Sequence, residues 1–170
     1  GILAQEFYHR HASRVSSLVL ADTYAGWQGS LPKSTAEERL EACLRDASLP
    51  ADDFVMKYLP GMFGDSSATE IKKKMANLMA DFHPAGFRLM ATTSNIDTRK
   101  ILPTIEVPTL LIWGDQDKRS TISVAHQMLA SIPGAKLEII QGAGHVSNLE
   151  APDKFNKIVR DFCLAIAQQE

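Results

Sequence analysis

Two short apolar runs, Thr109–Trp113 and Lys136–Ile140, are separated by a single stretch of helical spacing, and each runs into a loop that contains glycine. Strands joined through one helix lie parallel in the same sheet, with a right-handed crossover. That places both loops beyond the carboxyl ends of predicted buried strands, where open parallel sheets bind their ligands. The first loop is Gly114-Asp-Gln-Asp117 and the second is Gln141-Gly-Ala-Gly-His145. An acid and a histidine delivered from two such ends are two thirds of a nucleophile–base–orienter constellation. No serine, cysteine or aspartate of the chain occupies a recognisable nucleophile turn, so the third member is expected elsewhere.

The size of the chain, 170 residues, suits one domain with a real core. A net charge of −2 with scattered cations argues against a nucleic-acid partner. Lys72-Lys-Lys74 reads as the wet face of a helix. No apolar run approaches the ~20 residues of a membrane span, so no membrane role is expected. Cys43 and Cys163 are isolated thiols, which favours a reducing, cytoplasmic setting. The five histidines lack the spacing of a metal site, and no glycine-rich phosphate loop precedes a helix. No metal or cofactor is therefore expected. Gly1-Ile-Leu-Ala4 has neither an initiator methionine nor the features of a signal peptide, and reads as the interior of a larger protein.

Along the chain, residues 2–11 have helical spacing, with His9-Arg-His11 suited to the negative end of the helix dipole. Val15 to Ala21 reads as a strand, its Leu18-Val-Leu20 centre buried on both faces, with Asp22 as a structural cap at its end. Residues 30–95 change character. Ser34-Thr-Ala-Glu-Glu38 looks like a capped helix start, and a second helix begins near Ser67 and is stopped by Pro84. A further helical piece covers Phe87 to Met90. The apolar side chains of this insert, among them Phe54, Met56, Tyr58, Met62, Phe63, Phe82 and Met90, suit either core packing or an adaptable lid over a pocket. Regular alternation then returns with strand 109–113, helix 121–132, strand 136–140 and a final helix after Pro152 that shows Phe155, Ile158, Val159 and Phe162 on one face.

Taken in order, these pieces resemble the second half of an α/β-hydrolase-fold enzyme. Gly142-Ala-Gly-His145 with Glu150-Ala-Pro152 and Phe155 is similar to the family's histidine loop and last helix. Pro108-Thr-Leu-Leu-Ile-Trp-Gly114 with Asp117 is similar to its acid loop, and the 28 residues from Asp117 to His145 suit the intervening strand–helix–strand. Ser13-Arg-Val15 leading to Leu18-Val-Leu20-Ala-Asp22 is similar to the passage after the nucleophile turn. Gly1 resembles the last glycine of the family's G-x-S-x-G turn. Ala12 and Ser120-Thr121 depart from the pattern, each lacking a common proline.

The resemblance implies a parallel-sheet α/β fold in three parts. Residues 1–29 form a core helix and strand, 30–95 a helical cap, and 96–170 the strands and helices that carry the acid and histidine loops. It implies a cofactor-independent serine hydrolase of small apolar esters, lactones or similar acyl compounds. His145 would be the general base and then acid, oriented by Asp117, with a nucleophile upstream of Gly1. Asp115 is the rival acid and is read as a turn former. Glu150 is read as support for the loop or a cap for the next helix. Trp27, Met62, Phe82 and Val146 are the candidate substrate-binding residues. His9, His11, His83 and His126 are read as surface or packing residues. The chain alone is expected to be inactive, and its expected partner is the remaining half of the fold or an oligomeric copy. Rival readings keep the fold but change the reaction (dehalogenase, epoxide hydrolase, carbon–carbon hydrolase, haloperoxidase), or make the chain a non-catalytic binding module.

Overall fold

In the computed structural model, which describes residues 1–168, three parallel strands lie in the order β1 (Leu18–Ala21), β2 (Thr109–Gly114) and β3 (Lys136–Ile140). The central strand β2 is buried along its whole length, as six consecutive apolar or small residues without a charge require. Its two faces meet two separate cores. Leu111 and Trp113 point with Leu18 and Leu20 of β1 into the larger one. Leu110 and Ile112 point with Ile140 toward the smaller one. Val19 and Ala21 are half-buried on that second face, so β1 is asymmetric where full burial was expected. β1 is also shorter than the predicted 15–21, because a 3₁₀ turn over Ala12–Arg14 occupies the lead-in and ends at Val15.

Helix α1 (Ile2–His11) precedes β1 and is locked to the rest by a buried polar pair. The Gln5 amide donates to the Tyr24 carbonyl (2.8 Å), and Thr98 Oγ1 donates to Gln5 Oε1 (2.6 Å). Both side chains are fully buried. Being satisfied on both sides, the pair fixes the position of α1 at little cost.

Between β1 and β2 the chain makes five helices: α2 (Trp27–Ser30), α3 (Lys33–Asp46), α4 (Ala51–Tyr58), α5 (Thr69–Ala80) and α6 (Pro84–Ser94). Local chemistry moved several boundaries. The expected cap at Ser34 does not form: α3 begins one residue earlier, after Pro32, whose fixed φ starts the helix and whose ring offers no acceptor. Pro84 opens α6 instead of closing the helix before it, since a proline at the first helical position loses no hydrogen bond. His83 completes that start by accepting from the Ala85 amide at Nδ1 (3.2 Å).

An aromatic cluster unites these helices. Phe54 lies 4.8 Å from Phe87 edge-on and 4.8 Å from Tyr58 in a stack, with Phe82 6.1 Å away. Asp46 ties the end of α3 to α4, accepting from the Tyr58 hydroxyl (2.9 Å) and pairing with Lys57 Nζ (2.6 Å). Burial pushes the Asp46 carboxyl up, but the Lys57 and Tyr58 donors outweigh it and hold its pKa below the usual value. A depressed folded pKa contributes stability that is present above the unfolded value and lost as pH falls through the folded one. Asp46→Asn is therefore expected to lower Tm at neutral pH, and the gap from the parent should close in acid below the ordinary carboxylate range. Thermal melts from pH 7 to pH 2 test this.

After β2 come α7 (Ile122–Ser131), β3, the single turn α8 (Ser147–Glu150) and α9 (Pro152–Ala167). Phe155, Ile158, Val159 and Phe162 of α9 cover the second face of the sheet. β3 is an edge strand among the described residues, its burial alternating and complete only at Ile140. That corrects the reading of 136–140 as a buried strand. No described helix is long and apolar enough to cross a membrane.

Candidate active site

The carboxyl ends of β2 and β3 bring Asp117 and His145 together. His145 Nδ1 lies 2.8 Å from Asp117 Oδ2. The Asp117 side chain is sealed from solvent, whereas the imidazole keeps 23% of its surface. The other carboxylate oxygen accepts from the amides of Arg119 (2.8 Å) and Ser120 (2.9 Å). Ser120 itself is pinned to the Thr23 carbonyl, and its own carbonyl accepts from Trp113 Nε1 (2.7 Å). The acid is thus held by its own loop with one oxygen left for the histidine. A carboxylate in that place accepts a hydrogen bond from Nδ1–H, which keeps the proton on Nδ1 and leaves Nε2 as the ring's acceptor.

The rival acid does different work. Asp115 is exposed and accepts from the Gly142 amide (2.7 Å), so it braces the turn of the histidine loop. Asp22 is buried at the end of β1 and binds three donors: the Gly114 amide (3.0 Å), the Ser147 amide (3.1 Å) and the Ser147 hydroxyl (2.6 Å). It joins all three loops at the sheet edge, a wider role than a cap. Burial raises its pKa, against those three hydrogen bonds.

Glu150 does not cap the next helix. One oxygen accepts from the Gly144 amide (2.7 Å), and the other from the Gly64 amide (2.7 Å) and the Ser67 hydroxyl. The segment between α4 and α5 is thereby clamped to the histidine loop. The His145 amide completes the clamp by donating to the Met62 carbonyl (2.8 Å). The contact is backbone to backbone: a Cβ on Gly144 would fall 2.5 Å from the Phe63 carbonyl carbon and 2.7 Å from the Gly64 nitrogen. Only glycine permits that approach. Ser67, expected to open a helix, is spent on this clamp, and α5 starts two residues later.

His145 opens onto a cavity of about 1000 Å³, bounded below by the sheet edge and above by α3 to α6. That is the upper range of small-molecule sites. Of the candidate binding residues, Trp27, Met62 and Phe82 line it. Val146 does not; it is half-buried at the start of α8. Of the other apolar residues singled out, Phe54, Tyr58 and Met90 line the cavity. Met56 points to solvent and Phe63 is buried in the clamp. His9, His11, His83 and His126 are exposed, and none of them lines the cavity. The lining residues that sequence reading missed include Tyr24, Arg39, Cys43 and Arg119. Arg119, two residues after Asp117 in the same loop, was the one with a usable signal. Cys43 is buried, Cys163 is exposed, and both are free thiols. Among the described residues no group of three histidine, cysteine or acidic side chains could hold a metal.

The sequence profile described as "Alpha/beta hydrolase family" matches residues 1–158. A 2-hydroxy-6-oxononadienedioate/2-hydroxy-6-oxononatrienedioate hydrolase of a Pseudomonas species is 34% identical over 74 residues, which cover 44% of this chain and 26% of that protein. Lipase 1 of Psychrobacter immobilis is 27% identical over 160 residues, covering 91% of this chain and 50% of the lipase. A thermophilic esterase from Thermogutta terrifontis has the same fold, with a TM-score of 0.85 at 21% identity over 97% of this chain and 61% of its own. The chain thus spans half or less of the length of these two curated relatives.

Proposed function

Since the chain belongs to the alpha/beta hydrolase family, we propose that it carries the acid–base half of a serine hydrolase acting on small, largely apolar acyl compounds. The carrying observation is the Asp117–His145 pair, 2.8 Å apart, with its carboxylate dry and its imidazole open to the cavity. In this reading the hydroxyl nucleophile lies a few residues before Gly1. Gly1 lines the same cavity as His145 and sits so close to Thr23 that a Cβ would fall 1.8 Å from its hydroxyl oxygen. That tightness suits the glycine that ends a strained strand-to-helix turn.

In this reading the steps are those of acyl transfer through His145. His145 Nε2 takes the nucleophile's proton as its oxygen attacks the acyl carbon, and returns it to the leaving alkoxide when the acyl-enzyme forms. Water then attacks the acyl-enzyme by the same route, releasing the acid and restoring the serine. Asp117 keeps the imidazole in one tautomer throughout and stabilises the imidazolium that forms. The aromatic and methionine side chains of α4 to α6 would bury the apolar part of the substrate and exclude water. The reading calls on no metal or cofactor.

Turnover of a panel of p-nitrophenyl esters by the native gene product tests it. His145→Ala is expected to cost about 10⁴-fold or more in kcat. Unchanged turnover in that variant, or none in the parent across the panel, would overturn the acyl-hydrolase reading.

A further inference from the structure

The cavity is walled mainly by aromatic, methionine and aliphatic side chains, yet two arginines, Arg39 and Arg119, line it, near enough for the charge of Arg39 to act on Arg119, beside Lys118, which is paired with Asp65. Arg10, Arg45 and Arg99 each pair with a carboxylate. Among the described residues, neither Arg39 nor Arg119 has a carboxylate within ion-pair distance. We propose that Arg39 and Arg119 form a subsite for a carboxylate carried by the substrate, so that the enzyme prefers acyl compounds bearing an acid group to neutral ones of the same length. The proposal refines the acyl-hydrolase reading and rests on it for the identity of the reacting bond.

The two cations are built into the wall. The Arg39 guanidinium lies 5.7 Å over the ring of Tyr24 and 5.5 Å over that of Trp27, and Nη1 donates to the Tyr24 hydroxyl (2.9 Å). The two rings hold the guanidinium by cation–π contact, and one hydrogen bond leaves most of its five donors uncommitted. Arg119 reaches the cavity from the acid loop. Its Nη2 donates to the Tyr58 carbonyl, while its Nε is sealed from solvent without a partner. Burial pushes the Arg119 pKa down, and Arg39 adds to that pressure against the opposing pull of Tyr24 and Asp117. Arginine does not give up its proton in proteins, so the charge stays and is poorly compensated.

An anion in the cavity would relieve that. A buried cation and a buried guanidinium N–H left without a partner each cost free energy, and a carboxylate supplies both a counter-charge and acceptors. The planar guanidinium fork matches a carboxylate in two-point contact. Placement fits as well, because the Tyr24 ring that carries Arg39 lies 6.5 Å from the His145 ring. A substrate with its carbonyl at His145 can run along Tyr24 to the two cations, its methylene chain against the apolar wall.

The test needs no bond cleavage. 6-Oxoheptanoate and 2-heptanone share one keto chain and differ in a terminal carboxylate against a methyl, and neither is an ester. Binding of each to the native gene product is measured by calorimetry at low and at high salt. The keto acid is expected to bind at least about tenfold more tightly at low salt, with the preference shrinking as salt rises. Arg39→Gln and Arg119→Gln should each remove most of that preference and leave 2-heptanone binding unchanged, while Arg39→Lys retains part of it. Equal binding of the two ligands by the parent overturns the proposal whatever the variants do. So does an equal loss of both ligands in variants with unchanged Tm, which would mark the arginines as packing supports. A keto-acid preference in a protein that turns over no ester would leave the subsite standing and remove the hydrolase reading.

Discussion

Ester turnover is expected to fall about 10⁴-fold in Asp117→Asn while Tm changes little. The substitution keeps the size of the side chain, and the asparagine oxygen can go on accepting from the amides of Arg119 and Ser120. The amide nitrogen then faces His145 Nδ1. Two donors cannot share that contact, so Nδ1 becomes the acceptor and the ring proton moves to Nε2. Nε2 is the atom that must take the nucleophile's proton, and it arrives already occupied. The loss should therefore lie in kcat with KM nearly unchanged. Steady-state kinetics beside a melting curve check this, and a loss under tenfold would show that Asp117 does not set the tautomer.

Glu150→Ala is expected to be the most damaging change outside the pair. It strips partners from the Gly144 amide, the Gly64 amide and the Ser67 hydroxyl in one step. Each part-buried donor left unsatisfied costs about 1–3 kcal/mol, partly recovered where water can enter, so a loss of about 3 kcal/mol is expected. Activity should fall by about 10²-fold in the variant that remains folded, because the histidine loop loses its fixed distance from the segment after α4 and a misplacement near 1 Å has that effect. Glu150→Gln keeps an acceptor for one of the two sides and should fall between parent and alanine in both Tm and turnover. Urea unfolding and kcat on the same preparations test the pair of effects. An alanine variant with parental stability would show that the clamp is held by glycine packing alone.

The parts of the fold that the sequence makes legible are those whose partners lie close by in the chain. β2, α7 and β3 follow one another, and their apolar spacing is decided by the two faces of one sheet. The loops after β2 and β3 could be read the same way, so Asp117 and His145 were legible as a pair, although their 2.8 Å separation was not. Residues 30–95 resisted because their side chains answer to distant groups. Ser67 looks like the start of a helix but bonds to Glu150, 83 residues away. Glu150 looks like the support of its own loop but also holds Gly64, 86 residues back. Val146 sits beside the histidine in the chain, yet the turn into α8 directs it out of the cavity lining. Arg39 reads as one more charge on an amphipathic helix; only the stack on Tyr24 and Trp27 brings it to the cavity wall.

The clamp also divides the helical segment by how it is joined to the rest. The stretch from Met62 to Ser67 is joined to the histidine loop through backbone and carboxylate contacts, and Lys118 adds a link to Asp65 (3.0 Å). α5 and α6 meet the cavity through side chains such as Met79 and Phe87, with Leu78, Leu89 and Met90 open to solvent. Under the proposed function, adaptation to different acyl groups would fall to α5 and α6, while the segment after α4 is tied to the loops that carry Asp117 and His145.

The most direct measurement of the central claim is the intact mass of the native gene product after exposure to a fluorophosphonate, followed by peptide mapping. The account predicts one adduct per molecule on a serine that precedes Gly1, formed far more slowly in His145→Ala. A parent protein that gains no adduct, or gains it on a residue within these 170, would contradict it.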